Sequence, residues 1–267
     1  MSVPWVRVCK SKPCPICGKF DWCLLGQKGA ICMRVQVGKE FKNGGWFHPY
    51  DTSFKAPTPK REPERPSINT TALMRRWTER TKPEWITKLS DLLGVKSIGL
   101  MAIGCAWAAE HKAWAFPMKD GYGSPCGVRL RAMNGQKWAV KGSRDGIFLP
   151  EITPGSLVFV CEGPTDTAAA ISIGIQAVGR SSCGTGLNQI QTVFRRLHVE
   201  RAVVLLDNDG PGVLGGKRFC DHINVPTCTW VPPCKDLREF VKSGGTKELI
   251  EAMLKGFVWQ QPKLTGV

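Results

Sequence analysis

Short apolar runs alternate with amphipathic stretches through the second half of the chain. The runs are of strand length and end at turn formers, and they predict buried strands at 157–161, near 175–178, at 202–206 and at 227–231. The stretches between them have helical spacing and predict helices from 164, near 187–197, from 213 and from 236. This alternation is typical of a mostly parallel sheet with helices on both faces.

The preceding region has two further patterns. Apolar spacing over Thr70–Leu93 predicts a mainly helical segment with its tryptophans in the core. Residues 113–149 contain alternating runs separated by glycine-containing turns, which predict a mixed sheet. Arg129 and Arg131 alternate with apolar neighbours in one of these strands, so both guanidinium groups lie on the same face.

Cysteines cluster at the amino terminus. Cys14 and Cys17 form a Cys-x-x-Cys knuckle, and the residues after them predict a hairpin with a four-residue loop. If Leu25 pairs with Ala30 in this hairpin, then Cys23 lies opposite Cys32 and all four thiolates can bind one structural Zn²⁺. His48 is the alternative fourth ligand.

Acidic residues follow two of the predicted strands. Glu162 ends the first, and Asp207 and Asp209 follow the third, two positions apart so that they face the same way. The carboxyl ends of parallel strands meet at one edge of a sheet, so these acids predict a magnesium site. Each loop also has a purely structural interpretation, as a helix start or an ordinary turn.

Composition and net charge indicate the class of binding partner. The chain has 37 Lys and Arg residues against 22 Asp and Glu, a net charge of +15, and it has no long apolar segment and no signal-peptide pattern. We expect a nucleic-acid partner, no membrane partner and a cytoplasmic location. In a reducing compartment the 12 cysteines favour metal binding over disulfides.

The acidic motifs resemble the TOPRIM domain of primases, topoisomerases and certain nucleases. The resemblance is carried by Glu162-Gly163, by Asp207-Asn208-Asp209-Gly210 and by Lys235-Asp236. It implies that Glu162 is a metal ligand or an acid/base group and that Asp207 and Asp209 hold Mg²⁺ or Mn²⁺. Asp166 and Asp236 are weaker metal-ligand candidates.

The rest of the chain is similar to phage and bacterial primases, which implies a bacterial cell or a phage-infected host. Cys14, Cys17 and Cys32 match three of the four ligands of their zinc ribbon in spacing, although no ligand stands near Val35, where the usual second knuckle would have one. Phe116-Pro117, the Arg129-Leu130-Arg131 strand and Lys141-Gly142 resemble the amino-terminal subdomain of the primase core. The residues then implied to bind nucleotide and template are Arg129, Arg131, Lys137, Lys141, Arg180 and Lys235. Arg180 lies in Gly179–Gly184, which is interpreted as a phosphate-facing loop or a bare turn.

The predicted fold is α/β: a small amino-terminal zinc ribbon, an α+β primase subdomain and a Rossmann-like TOPRIM domain. The predicted boundaries are 1–54 for the ribbon, 55–67 for a proline-rich linker, 68–150 for the subdomain and 151–267 for the catalytic domain. The predicted function is magnesium-dependent synthesis of RNA primers from ribonucleoside triphosphates on single-stranded DNA during replication. A TOPRIM nuclease and a non-catalytic zinc-bearing DNA-binding accessory protein are the alternatives. Any replicative helicase is expected to be a separate chain, because no Walker lysine motif is present.

Overall fold

The computed structural model describes residues 5–37, 39–41, 44–50, 68–182, 184–208, 216 and 219–262. The chain divides into two compact units, residues 1–65 and 66–267. The predicted linker and Asp209 lie outside the described residues. Among the helices of the described residues, none has the length and apolarity needed to cross a membrane.

The first unit is built on a small antiparallel sheet with the strand order β1-β2-β3-β5-β4. Its strands are β1 (Val6–Arg7), β2 (Leu24–Leu25), β3 (Gly29–Cys32), β4 (Lys39–Glu40) and β5 (Trp46–Pro49). Leu25 pairs with Ala30, so the predicted hairpin register is confirmed. The core of this unit is small: Val8, Leu25 and Ala30 pack around the buried cysteines. A segment of this size needs a further stabilising element such as a metal.

Seven helices of the second unit have both ends within the described residues. They are α1 (Thr70–Arg80), α2 (Pro83–Leu93), α3 (Ser97–Ala102), α4 (Pro164–Ser172), α5 (Leu187–Arg196), α6 (Leu237–Lys242) and α7 (Lys247–Leu254). The predicted segment Thr70–Leu93 is thus two helices, because Pro83 disfavours helical geometry in the residue before it and is best placed at a helix start. Trp77 is 1% exposed and lies in the core, as predicted.

One mixed sheet runs through the whole second unit. Its strands are β6 (Ala106–Ala108), β7 (Ala113–Lys119), β8 (Pro125–Ala132), β9 (Lys137–Ala139), β10 (Ile147–Phe148), β11 (Leu157–Glu162), β12 (Ala177–Arg180), β13 (Arg201–Leu205) and β14 (Thr227–Trp230). The order is β14-β13-β11-β12-β10-β7-β8-β9, with β6 paired to β7. β10 pairs antiparallel with both β12 and β7, so the predicted boundary at 150/151 runs through a continuous sheet.

The carboxyl-terminal part of this sheet is parallel and covered on both faces, as predicted. All pairings among β11, β12, β13 and β14 are parallel. Along β11, Phe159 and Cys161 belong to a core that includes residues of α4, whereas Val158 and Val160 belong to a core that includes residues of α5. Because both faces of the strand are buried, its side chains are partly exposed only at its two ends, at Leu157 and at Glu162.

Candidate metal centre and acidic–basic cleft

The four predicted cysteines come together in the first unit. The Sγ atoms of Cys14, Cys17, Cys23 and Cys32 all lie within 4.8 Å of one another. The knuckle turns at Gly18, whose φ of 70° is readily available only to glycine, and the β2–β3 register brings the other two cysteines opposite each other. Four thiolates in this arrangement fit a tetrahedral structural zinc site.

The donors around the cysteines are also suited to thiolates. The backbone N–H of Met33 donates to Cys23 Sγ over 3.4 Å, and that of Val35 donates to Cys32 Sγ over 3.3 Å. Such bonds stabilise the charged form that binds a metal. His48 is not part of the cluster: its Nε2 lies 3.3 Å from the carbonyl oxygen of Val35. The fourth member of the cluster is therefore Cys23.

A cleft of about 430 Å³ lies in the second unit, at the carboxyl ends of β11 and β13. Both acidic and basic side chains line it. The acids that line it are Glu162, Asp166, Asp207 and Asp236, and the bases are Arg129, Arg131, Lys137, Lys235 and Arg238. The cleft thus brings together residues from elements far apart in the sequence.

Glu162 is held beside a buried arginine. Glu162 and Arg180 are partners in the parallel β11–β12 register, and Arg180 Nη2 lies 4.0 Å from Glu162 Oε2. Oε2 is buried and accepts no hydrogen bond. The guanidinium also stacks 4.6 Å from the ring centre of Phe219.

This position corrects the predicted role of Arg180. The strand predicted near 175–178 is observed at Ala177–Arg180, so Arg180 belongs to β12 and not to the loop that follows it. Its side chain is 0% exposed and does not line the cleft. A group in this place cannot contact a template phosphate directly, but its charge acts on Glu162.

Asp166 lies in the first turn of α4 and is 7% exposed. Burial raises the pKa of its carboxyl group to about 7, and the charges of Asp236 and Asp207 act in the same direction. The backbone N–H of Arg238 donates to its Oδ1 over 3.0 Å and opposes the shift. The acids are therefore crowded enough to repel one another, and a bound cation would relieve that repulsion.

Asp207 and Asp236 lie on neighbouring loops of the cleft. The backbone N–H of Asn208 donates to the carbonyl oxygen of Lys235 over 3.0 Å, which joins the two loops. Asp236 is the N-cap of α6: its Oδ1 accepts the Glu239 N–H over 2.7 Å, and its Oδ2 lies 3.4 Å from Arg238 Nη2. Asp236 thus has a structural duty in addition to facing the cleft.

The basic side of the cleft is built by the strands predicted from alternation. Arg129 pairs with Ala139, and Arg131 pairs with Lys137, so the two arginines and Lys137 lie on one sheet face. Burial, and then the charge of Arg238, lower the pKa of Arg131, whereas Asp166 and Asp236 act to raise it. The charges of Asp166 and Asp236 therefore act on Arg131. Lys141 is exposed in the turn after β9 and does not line the cleft.

The acids fit a magnesium ion less tightly than the cysteines fit zinc. Within the described part of the chain, no three carboxylates are grouped as closely as the four thiols. Magnesium usually keeps several waters and uses one or two carboxylates together with substrate phosphates, so it does not require so close a group.

Some residues of the cleft escape the sequence prediction. Arg238 follows the predicted Lys235-Asp236 pair by two positions, and its contact with Asp166 spans 72 positions, a distance that no local pattern reveals. Ser181 and Ser182 also line the cleft, and they belong to Gly179–Gly184, the segment predicted to be a phosphate-facing loop or a bare turn. Both bond to Thr185, and Ser181 also bonds to Asp145.

No protein-family model and no curated protein matches the chain. Solved structures do match, and they are DNA primases at low sequence identity. The Escherichia coli primase catalytic core has a TM-score of 0.55 and 14% identity over 71% of this chain and 79% of its own. A DnaG primase catalytic domain bound to single-stranded DNA has a TM-score of 0.54 and 15% identity over 71% of this chain and 78% of its own.

The primase fragment of the bacteriophage T7 primase-helicase protein matches over a longer stretch. It has a TM-score of 0.50 and 14% identity over 93% of this chain and 99% of its own. At such identities the likeness concerns the fold and not the activity. The chain therefore has the fold of DNA primase catalytic cores of the TOPRIM type, preceded by a four-cysteine cluster that fits a zinc site.

Proposed function

We propose that the protein is a DNA primase, which synthesises short RNA primers on single-stranded DNA in a magnesium-dependent reaction. This proposal rests on the cleft of about 430 Å³. Its lining combines three basic residues, Arg129, Arg131 and Lys137, with the acids Glu162 and Asp207. A polymerase needs cations for the template and triphosphate and acids for the metal, and both sets line this space.

We assign metal binding and proton transfer to the acids of the cleft. In the reaction, the 3′-hydroxyl oxygen of one ribonucleotide bonds to the α-phosphorus of the next, and pyrophosphate leaves. A bound Mg²⁺ would stabilise negative charge on the phosphate oxygens. Asp207, together with Asp209 two positions later in the sequence, would supply oxygen ligands, and Glu162 would either supply another or accept the hydroxyl proton. Asp166 and Asp236 add negative charge behind them.

We assign binding of the template backbone and of the triphosphate to the basic residues of the cleft. Arg129, Arg131 and Lys137 share a sheet face, and their charges suit a template backbone or a triphosphate. Lys235 and Arg238 approach from the loop that precedes α6 and from its first turn. The raised density of positive charge would also attract single-stranded DNA at a distance, which fits the net charge of +15.

The amino-terminal unit is assigned to template recognition. Residues 1–54 contain eight Lys and Arg residues against three Asp and Glu residues, so this unit too is suited to a polyanion. Its zinc would be structural, because four cysteines leave no open coordination position for chemistry.

The proposal is tested by incubating the protein with single-stranded DNA, Mg²⁺ and labelled ribonucleoside triphosphates. Short labelled oligomers are expected. Shortened template would instead indicate a nuclease, and neither product would indicate a DNA-binding accessory protein. Asp207→Ala should abolish synthesis while leaving DNA binding intact, and full activity in that variant would overturn the assignment of the metal site. Lys141→Gln, an exposed change outside the cleft, is the matched control.

A further inference from the structure

A second cleft lies on the first unit, on the face of its sheet that points away from the cysteines. Cys23, Leu25, Ala30 and Cys32 alternate onto one face, whereas Ile31 and its partner Phe47 lie on the other. Lys39 pairs with Phe47 and shares that second face. The cleft is therefore separated from the metal cluster by the thickness of the sheet.

The cleft has aromatic walls and occupies about 450 Å³. The ring of Trp5 meets those of Phe41 and Phe47 edge to face, with centroids 5.7 Å and 6.2 Å apart. Trp5 is 37% exposed, although a residue of this size would ordinarily be covered in a well-packed core. The three rings therefore leave apolar surface open to a further planar group.

A glycine sets the position of the tryptophan. A Cβ atom added to Gly26 would lie 2.5 Å from the Trp5 ring, so the indole rests directly on the Gly26 backbone. Lys28 and Lys39 line the same cleft and are exposed. The space thus combines aromatic surface for a flat ring with two cations suited to the phosphates attached to it.

We propose that this cleft holds a base of single-stranded DNA, stacked against Trp5, Phe41 and Phe47, with Lys28 and Lys39 beside its phosphates. Stacking on aromatic side chains next to cationic groups is the general way in which proteins hold single-stranded nucleic acid. The excess of basic residues in the first unit favours this occupant over an apolar peptide, which would gain nothing from the lysines. The inference rests on the proposed function only in taking single-stranded DNA as the partner.

The test uses the full-length zinc-loaded protein and oligonucleotides that carry one 5-iodouracil, without magnesium or nucleotides. Irradiation should join the iodouracil to Trp5, Phe41 or Phe47, as mapped by mass spectrometry. Trp5→Leu should remove a crosslink at position 5 and weaken binding roughly 5- to 100-fold in fluorescence anisotropy. Tyr122→Leu, a change of a more exposed aromatic residue in the second unit, should leave both readouts unchanged.

An abasic substitution separates stacking from general damage. Removing the base at the crosslinked position should weaken binding to the wild-type protein but have little further effect on Trp5→Leu, because both changes remove the same contact. Equal losses in the two proteins, crosslinks confined to other residues, or wild-type binding by a Trp5→Leu variant that keeps its zinc would each overturn the proposal. Asp207→Ala should retain the crosslink, so failure of this inference and failure of the primase assignment give different results.

Discussion

Arg180 and Glu162 are cross-strand partners at the ends of two parallel strands, and Arg180 Nη2 lies 4.0 Å from Glu162 Oε2. Arg180 is fully buried, whereas the side chain of Glu162 is 25% exposed at the mouth of the cleft. The arginine therefore places a fixed positive charge beside a carboxylate that lines the cleft.

Replacement of Arg180 by methionine tests this relationship. We expect Arg180→Met to lower the free energy of unfolding by roughly 2–4 kcal/mol, toward the low end for a broken buried pair because Glu162 retains some solvent. The measurement is urea denaturation of the variant in two backgrounds. In Glu162→Gln the same change should cost less, since the partner charge is already absent. Equal costs in both backgrounds would show that the pairing with Glu162 contributes nothing to the stabilising effect of Arg180.

Zinc content distinguishes the two candidates for the fourth ligand. Cys14→Ser and Cys23→Ser should each release zinc and unfold the first unit, because its core is small and metal binding supplies a large share of the folding free energy of such units, on the order of 10 kcal/mol. His48→Ala should keep one zinc per chain, as measured by plasma mass spectrometry. Loss of zinc from His48→Ala with retention by Cys23→Ser would reverse the assignment.

The metal cluster shows what sequence alone can supply. Two local patterns, a knuckle and a hairpin, were enough to place Cys23 opposite Cys32, because hairpin register follows from loop length and the side-chain period of a strand. The same reasoning found the strand ends that carry Glu162 and Asp207. In each case the prediction depended on residues close together in the chain.

The sequence predictions fail for side chains whose positions depend on tertiary packing. A strand that begins at Ala177 and not near 175 moves Arg180 from a loop into the sheet, and a predicted phosphate contact becomes a buried ion pair. Arg238 reaches Asp166 only because α6 packs near α4. A shift of two residues in a strand boundary, or one long-range helix contact, changes the role of a side chain without altering any local pattern.

The salt dependence of DNA binding should identify the cations that contact phosphate. Arg131→Gln should reduce the slope of log Kobs against log salt concentration by about 0.7 for a single strand, because one phosphate contact releases about that fraction of a counterion. Lys141→Gln should leave the slope unchanged, since Lys141 lies outside the cleft. Titrations of a labelled oligonucleotide at several salt concentrations provide the comparison. A larger change for Lys141 than for Arg131 would move the template path away from the cleft.

Asp236 offers a way to separate its structural duty from its charge. Its Oδ1 caps α6 by accepting the Glu239 N–H, and asparagine can make the same bond. Asp236→Asn should therefore unfold at nearly the wild-type urea concentration, whereas Asp236→Ala should lose about 1 kcal/mol of the free energy of unfolding.

In primer synthesis the asparagine variant should need a higher Mg²⁺ concentration for half-maximal rate, because one negative charge facing the cation is gone. Asp207→Asn provides the comparison for a residue assigned as a direct ligand, and it should lose activity at every Mg²⁺ concentration. If Asp236→Asn instead has wild-type magnesium dependence, the carboxylate serves the helix alone, and the metal is held by the other acids of the cleft.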